Sequence, residues 1–168
     1  MKMKITTTVI CLLISITGFG QQLFGHVNSQ DILSIMPEAS TAQLALQAEL
    51  GGLQEQGQIM MQEFETQQKE FQINQETMNE AVRNDKLKSL ENLQERIVLF
   101  EQSAEQSIQM KQAELFEPIL TKIQNAIDEV AKEKGYSYVF DIVGLQGGIV
   151  YKNDSYDLTE LVKSKLNL

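Results

Sequence analysis

The sequence predicts an α+β protein, with a long antiparallel α-helical hairpin standing on a small β-sheet core that must be shared between copies. Three observations carry this. An apolar seam of period 3.5 runs from Leu46 to Asp85. A second helical run extends from Leu87 to a glycine stop at Gly135. Short β-branched and aromatic segments flank the pair, at Phe24–Asn28 and Tyr136–Tyr151.

The chain opens with Lys2 and Lys4, an apolar run Ile5–Ile16, and Gly18-Phe19-Gly20 with small residues where a signal peptidase reads. The run is too short for a permanent anchor. The expected organisation is a cleaved signal peptide over 1–20, a β-rich oligomerisation body from 21–40 and 118–168, and a helical-hairpin arm over 41–117. Cys11 is the only cysteine and lies in the signal, preceded by Ile10 rather than the small residue that lipidation needs. The mature chain therefore has no disulfide framework and no thiolate chemistry.

The formal charge is −9, and −11 once Lys2 and Lys4 are removed. An acidic surface argues against a nucleic-acid partner, which needs Lys and Arg to displace counterions, and against adsorption to anionic lipid.

Phe24–Asn28 reads as a strand, and Asn28 with Asp31 can cap a short helix that Pro37 ends. The first long helix carries Leu46, Leu50, Leu53, Gly57, Met60, Phe64, Gln67, Phe71, Asn74, Met78, Ala81 and Asp85 on its seam. Asn84-Asp85 is the expected turn. The second helix carries Leu90, Leu93, Ile97, Phe100, Ala104 and Ile108, then Leu115 to Val130, with Pro118 expected to kink it or remove one backbone bond. Each helix has roughly 45 residues, which makes an arm about 65 Å long. Gly51, Gly52 and Gly57 mark points of bending or close helix approach. Beyond Gly135, Tyr136–Val143 and Ile149–Tyr151 are expected to form a hairpin about Gly144–Gly148, and Asp157-Leu-Thr-Glu160 a capping box opening the last helix. Three short strands and two short helices bury little alone, so several copies must pool their sheets.

The residues FGHVNSQDILSIMPE, AIDEVAKEKGYSYVFDI and the terminal Asp-Leu-Thr-Glu-Leu-Val occur in an order that resembles the Skp/OmpH family of periplasmic chaperones. The resemblance implies a jellyfish-like homotrimer. Strands of three subunits form a barrel, and three helical arms enclose a cavity holding unfolded outer-membrane proteins without ATP. It implies a periplasmic location, no cofactor, and unfolded outer-membrane proteins and the chain itself as partners. One departure is clear. The best-known members have basic arms, whereas Thr41–Glu117 here carries six Lys and Arg against fourteen Asp and Glu. No basic cluster matches a lipopolysaccharide site, so lipopolysaccharide binding is not carried over.

The candidate client-binding residues are Met60, Met61, Phe64, Phe71, Met78, Phe100 and Met110, because flexible, polarisable methionines suit many partners. Those on the seam can equally pack the two helices together, whereas Met61 and Met110 lie off it. The candidate oligomer core is Phe24, Val27, Ile32, Val139, Phe140, Ile142, Ile149 and Tyr151. His26 has no partner at metal-ligand spacing, and Gly144, Gly147 and Gly148 lead into Ile-Val-Tyr rather than the Lys-Ser/Thr of a phosphate loop. Asn153-Asp-Ser155 fits a polar loop better than a glycosylation site. Asp141 must either face solvent or pair within the core. No catalytic constellation is present, so an enzyme is not expected. The alternative to a holdase is a structural or adaptor coiled-coil protein of the envelope.

Overall fold

The structure is a computed structural model that describes residues 22–143 and 149–168. The expected signal peptide and the expected turn Gly144–Gly148 lie outside the described residues. The described residues divide into two compact units: a body holding 22–32, 123–143 and 149–168, and an arm made of Leu33–Lys122.

The body holds a two-stranded parallel sheet, β1 (Leu23–Val27) beside β2 (Tyr136–Asp141). Phe24 pairs with Tyr138, Gly25 with Val139, His26 with Phe140 and Val27 with Asp141. Parallel strands need a crossover, and here the crossover is the whole helical arm. The expected third strand does not form. Ile149–Tyr151 has no strand structure, and Val150 and Tyr151 are 97% and 83% exposed. The second edge of β1 is taken from further along the chain. Asn153 accepts the Ser155 N–H and caps a 3-10 turn, Asp154–Tyr156. That turn brings Asp157 into a parallel bridge with His26, and the Leu158 N–H donates to the His26 carbonyl at 2.9 Å.

Helix α1 (Ser29–Ile35) is capped as the sequence predicts: the Asn28 side-chain oxygen accepts the Asp31 N–H at 3.1 Å. It also receives a second cap from β2. The half-buried Asp141 carboxylate accepts the N–H and hydroxyl of Ser29 and, at 3.1 Å, the Val143 N–H. The charge left open in the sequence thus holds a helix N-terminus, where a carboxylate is favoured.

In the arm, α2 (Pro37–Asn74) begins with its proline in the first turn, where no N–H is missed. Helix α3 (Glu80–Lys134) returns from it and runs on past the arm. The turn lies at Gln75–Asn79, earlier than the expected Asn84-Asp85. The reason is the cap: the Asn79 side chain accepts the Val82 N–H at 2.9 Å, which leaves Asn84 and Asp85 as exposed residues inside α3. The helices are antiparallel, with Glu38 of α2 ion-paired to Lys122 of α3, and Gly57 facing Phe100. Helix α3 continues through Pro118, which has no N–H to donate.

Gly57 is a point of close approach, where an added Cβ would stand 3.4 Å from the Phe100 ring. Gly51 and Gly52 are different, because a Cβ at either meets nothing within 4 Å. Replacing both by alanine should therefore stabilise the arm by about 1 kcal/mol each, read as a higher thermal midpoint of helical circular dichroism. A lower midpoint would mean that these glycines serve a bend.

The body core is built on Val27, Ile32, Leu158 and Val162, each at most 1% exposed, with Ile123, Ala126 and Val130 of α3. The last helix, α4 (Thr159–Lys165), carries Val162. The expected capping box is replaced by a tighter turn. Asp157 accepts the N–H and hydroxyl of Thr159, and Glu160 turns forward to Lys163. Lys165 pairs with Glu129 and Glu133, which ties α4 to the end of α3.

Candidate functional site

The arm seam is apolar but incompletely filled. Gly57 supplies no side chain and Ala104 only a methyl group, and between them the helices leave a trough of about 430 Å³. Leu50 and Leu53 line it from α2, and Phe100, Ala104 and Ile108 from α3. Gln54, Gln109, Glu101 and Glu105 also line it. A second hollow of about 410 Å³ lies against the Gly57–Phe100 contact and is lined by Met61 and Ile97. The trough presents apolar surface edged by the amides of Gln54 and Gln109 and the carboxylates of Glu101 and Glu105.

Of the sequence-predicted client-binding residues, Met60, Phe64, Phe71, Met78 and Phe100 are half-buried along the seam. Met61 and Met110 are 43% and 67% exposed. Leu50, Leu53, Ala104 and Ile108 were not among the candidates, although the small residues Gly57 and Ala104 on facing seams were the signal for unfilled volume. Further apolar residues lie off the seam. Leu44, Ile59 and Ile73 recur at about four-turn intervals on one exposed face of α2.

The body presents a different surface. Phe24, Tyr138 and Phe140 form an exposed stack on one face of the sheet, with the Phe24 ring 5.5 Å from Tyr138 and 6.4 Å from Phe140. Among the described residues, β2 is paired only along its β1 edge. Val139, Ile142 and Ile149 are half-buried. Val27 and Ile32 are buried within the chain itself. Tyr151 is exposed outside any strand.

His26 is buried, with Nε2 3.4 Å from the Asp157 carboxylate but without hydrogen-bond geometry to it. Burial pushes the Asp157 carboxyl up. The Thr159 hydroxyl and N–H, the neighbouring His26 and Lys152 outweigh burial and hold it below its ordinary value of 3.8. A carboxylate held low stabilises the fold above its unfolded pKa and loses that contribution as pH falls through the folded one. The body should therefore weaken on acidification below about pH 4. Asp157→Asn should lower stability at neutral pH and flatten this acid limb in urea titrations. An unchanged acid limb would remove Asp157 from the account. Among the described residues no cluster of His, Cys, Asp and Glu could hold a metal ion, and no helix is long and apolar enough to cross a membrane.

An acidic helical hairpin with an open apolar seam and, in the other unit, a small parallel sheet with an exposed aromatic face define a class of α+β proteins with a long helical hairpin. The family described as outer membrane protein (OmpH-like) matches residues 23–166, and the chain belongs to that family. The Chaperone protein Skp of Yersinia enterocolitica is 29% identical over 137 residues, covering 79% of each protein. The crystal structure of a protein from Caulobacter crescentus, described as an OmpH-like outer membrane chaperone, superposes with a TM-score of 0.71 at 11% identity. It covers 89% of this chain and 86% of its own. At that identity the likeness is one of fold.

Proposed function

We propose that this protein is an ATP-independent periplasmic holdase. It sequesters unfolded outer-membrane proteins between the arms of a homotrimer and so slows their aggregation. The observation that carries the reading is the unfilled apolar trough at Leu50, Leu53, Phe100, Ala104 and Ile108. A purely structural coiled coil gains from a filled seam, since knobs packed into holes supply its stability. An open one gives up packing and leaves apolar surface for a guest. Weak contacts spread over several arms add through effective concentration, so no single residue need dominate. Membership of the OmpH-like family and the similarity to a Skp chaperone support the same reading.

Self-association supplies the several arms. The exposed Phe24–Tyr138–Phe140 stack and the open edge of β2 would be covered by a second copy of the body. The count of three rests on the resemblance to the family.

Replacing Met61 and Met110 together by serine removes exposed apolar surface, at Met61 beside the Gly57–Phe100 contact and at Met110 away from it. Affinity for a urea-unfolded outer-membrane β-barrel should fall roughly tenfold, with the oligomer unchanged by sedimentation. Unchanged affinity would take both residues out of the holding surface.

A further inference from the structure

The arm's charge is unevenly distributed. In segments 43–66 and 97–117, which contain every residue lining the trough, Lys111 is the one basic residue. It is paired with Glu114 of its own helix at 3.1 Å. Against it stand eight carboxylates, including Glu49, Glu55, Glu101 and Glu105. The stretch around the turn, 67–96, is nearly balanced, with Lys69, Arg83, Lys86, Lys88 and Arg96 offsetting six acids. The acidic stretch is therefore the one that lines this trough, whereas a hollow of about 450 Å³ at Ala42, Ala45, Leu115 and Ile119 has Lys122 at its edge. Glu101 and Glu105 lie on the trough itself, are exposed, and have no ion-pair partner among the described residues.

An apolar recess edged by unpaired carboxylates selects for its complement. We propose that the trough binds apolar segments of an unfolded polypeptide that carry lysine or arginine beside the apolar run, and discriminates against segments carrying aspartate or glutamate there. The inference rests on the holdase reading and names its preferred client chemistry. The volume falls within the range of roughly 300–1,000 Å³ found for binding clefts, so it can take more than one apolar side chain. The apolar residues of the guest fill the space left at Gly57 and Ala104. Its flanking cations meet Glu101 and Glu105, and Gln54 and Gln109 offer amides to its extended backbone. Like charges brought to this wall would be repelled, so the carboxylates exclude as well as attract.

The test uses two fluorescent peptides with one shared apolar core, flanked by lysines in the first and by glutamates in the second. Anisotropy with the purified protein should show the lysine peptide binding about 3- to 10-fold tighter at low salt, with the gap closing at high salt. The double variant Glu101→Gln with Glu105→Gln should erase most of the gap, and both residues are exposed, so the fold is not at risk. Ala104→Met, which fills the trough, should weaken both peptides alike. Equal binding of the two peptides, or a preference that survives the double variant, would overturn the inference. Suppression of β-barrel aggregation is measured alongside. Protection without the peptide preference sinks the charge selection alone. The preference without protection sinks the holding function and leaves the selectivity standing.

Discussion

Leu158→Ala should destabilise the body by about 2–5 kcal/mol, a large share of the 5–15 kcal/mol that typically holds a domain folded. Leu158 is 1% exposed and does two jobs. Its N–H closes the bridge to the His26 carbonyl, and its side chain covers the face of β1 at Gly25. A Cβ at Gly25 would stand 2.9 Å from the Tyr136 ring and 3.1 Å from Leu158 Cδ1, so this glycine lets the layers approach. Only a few side chains, among them Val27, Ile32 and Val162, share the core with Leu158, and little is available to collapse into the cavity. Leu158→Met, which nearly conserves volume, should cost under about 1.5 kcal/mol. Urea midpoints separate the two cases. A loss below 1 kcal/mol for the alanine variant would mean that the body core lies elsewhere.

Under the proposed self-association, Phe24→Asp combined with Phe140→Asp should convert the oligomer to monomer. Both rings are exposed in the single chain, at 50% and 41%, so the charges cost the isolated subunit little. In an assembly that covers this face, each carboxylate would be buried without a partner, at several kcal/mol apiece. Two such groups per subunit exceed what an interface of this kind can lose. Sedimentation velocity at micromolar concentration should show one slow species with helical content retained. A variant that sediments as the parent would place self-association on another surface.

Much of the fold was legible because helical periodicity is a long signal. The 3.5-residue seam placed Met60, Phe64, Phe71 and Phe100 among half-buried residues, and Asn28 announced its cap. The turn was less legible. Asn79 and the Asn84-Asp85 pair carry the same chemistry, and only one of them caps α3. The third strand was misread for a physical reason. Ile149-Val-Tyr151 has the composition of a strand and was expected beside β2, yet the segment that joins the sheet is Asp157, eight residues after Ile149, which bridges to the other edge of β1. Sheet partners are set by which segment reaches an edge, and β-propensity carries no information on that. The trough was hidden for a related cause. Seam residues are read as filled knobs, and a void shows only when Gly57 and Ala104 are seen on facing helices. Asp141 could not be assigned from its strand context, because its role depends on where α1 begins in space.

The central claim is that open apolar arms hold unfolded clients. The most direct measurement dilutes a urea-unfolded outer-membrane β-barrel protein into buffer with and without this protein and follows light scattering at low and high salt. The account predicts that scattering is suppressed at about one oligomer per client and that suppression persists in high salt, since the grip is apolar and charge sets only the preference. Scattering that rises equally with and without the protein would contradict it. The arm would then be a structural element of the envelope rather than a holding surface.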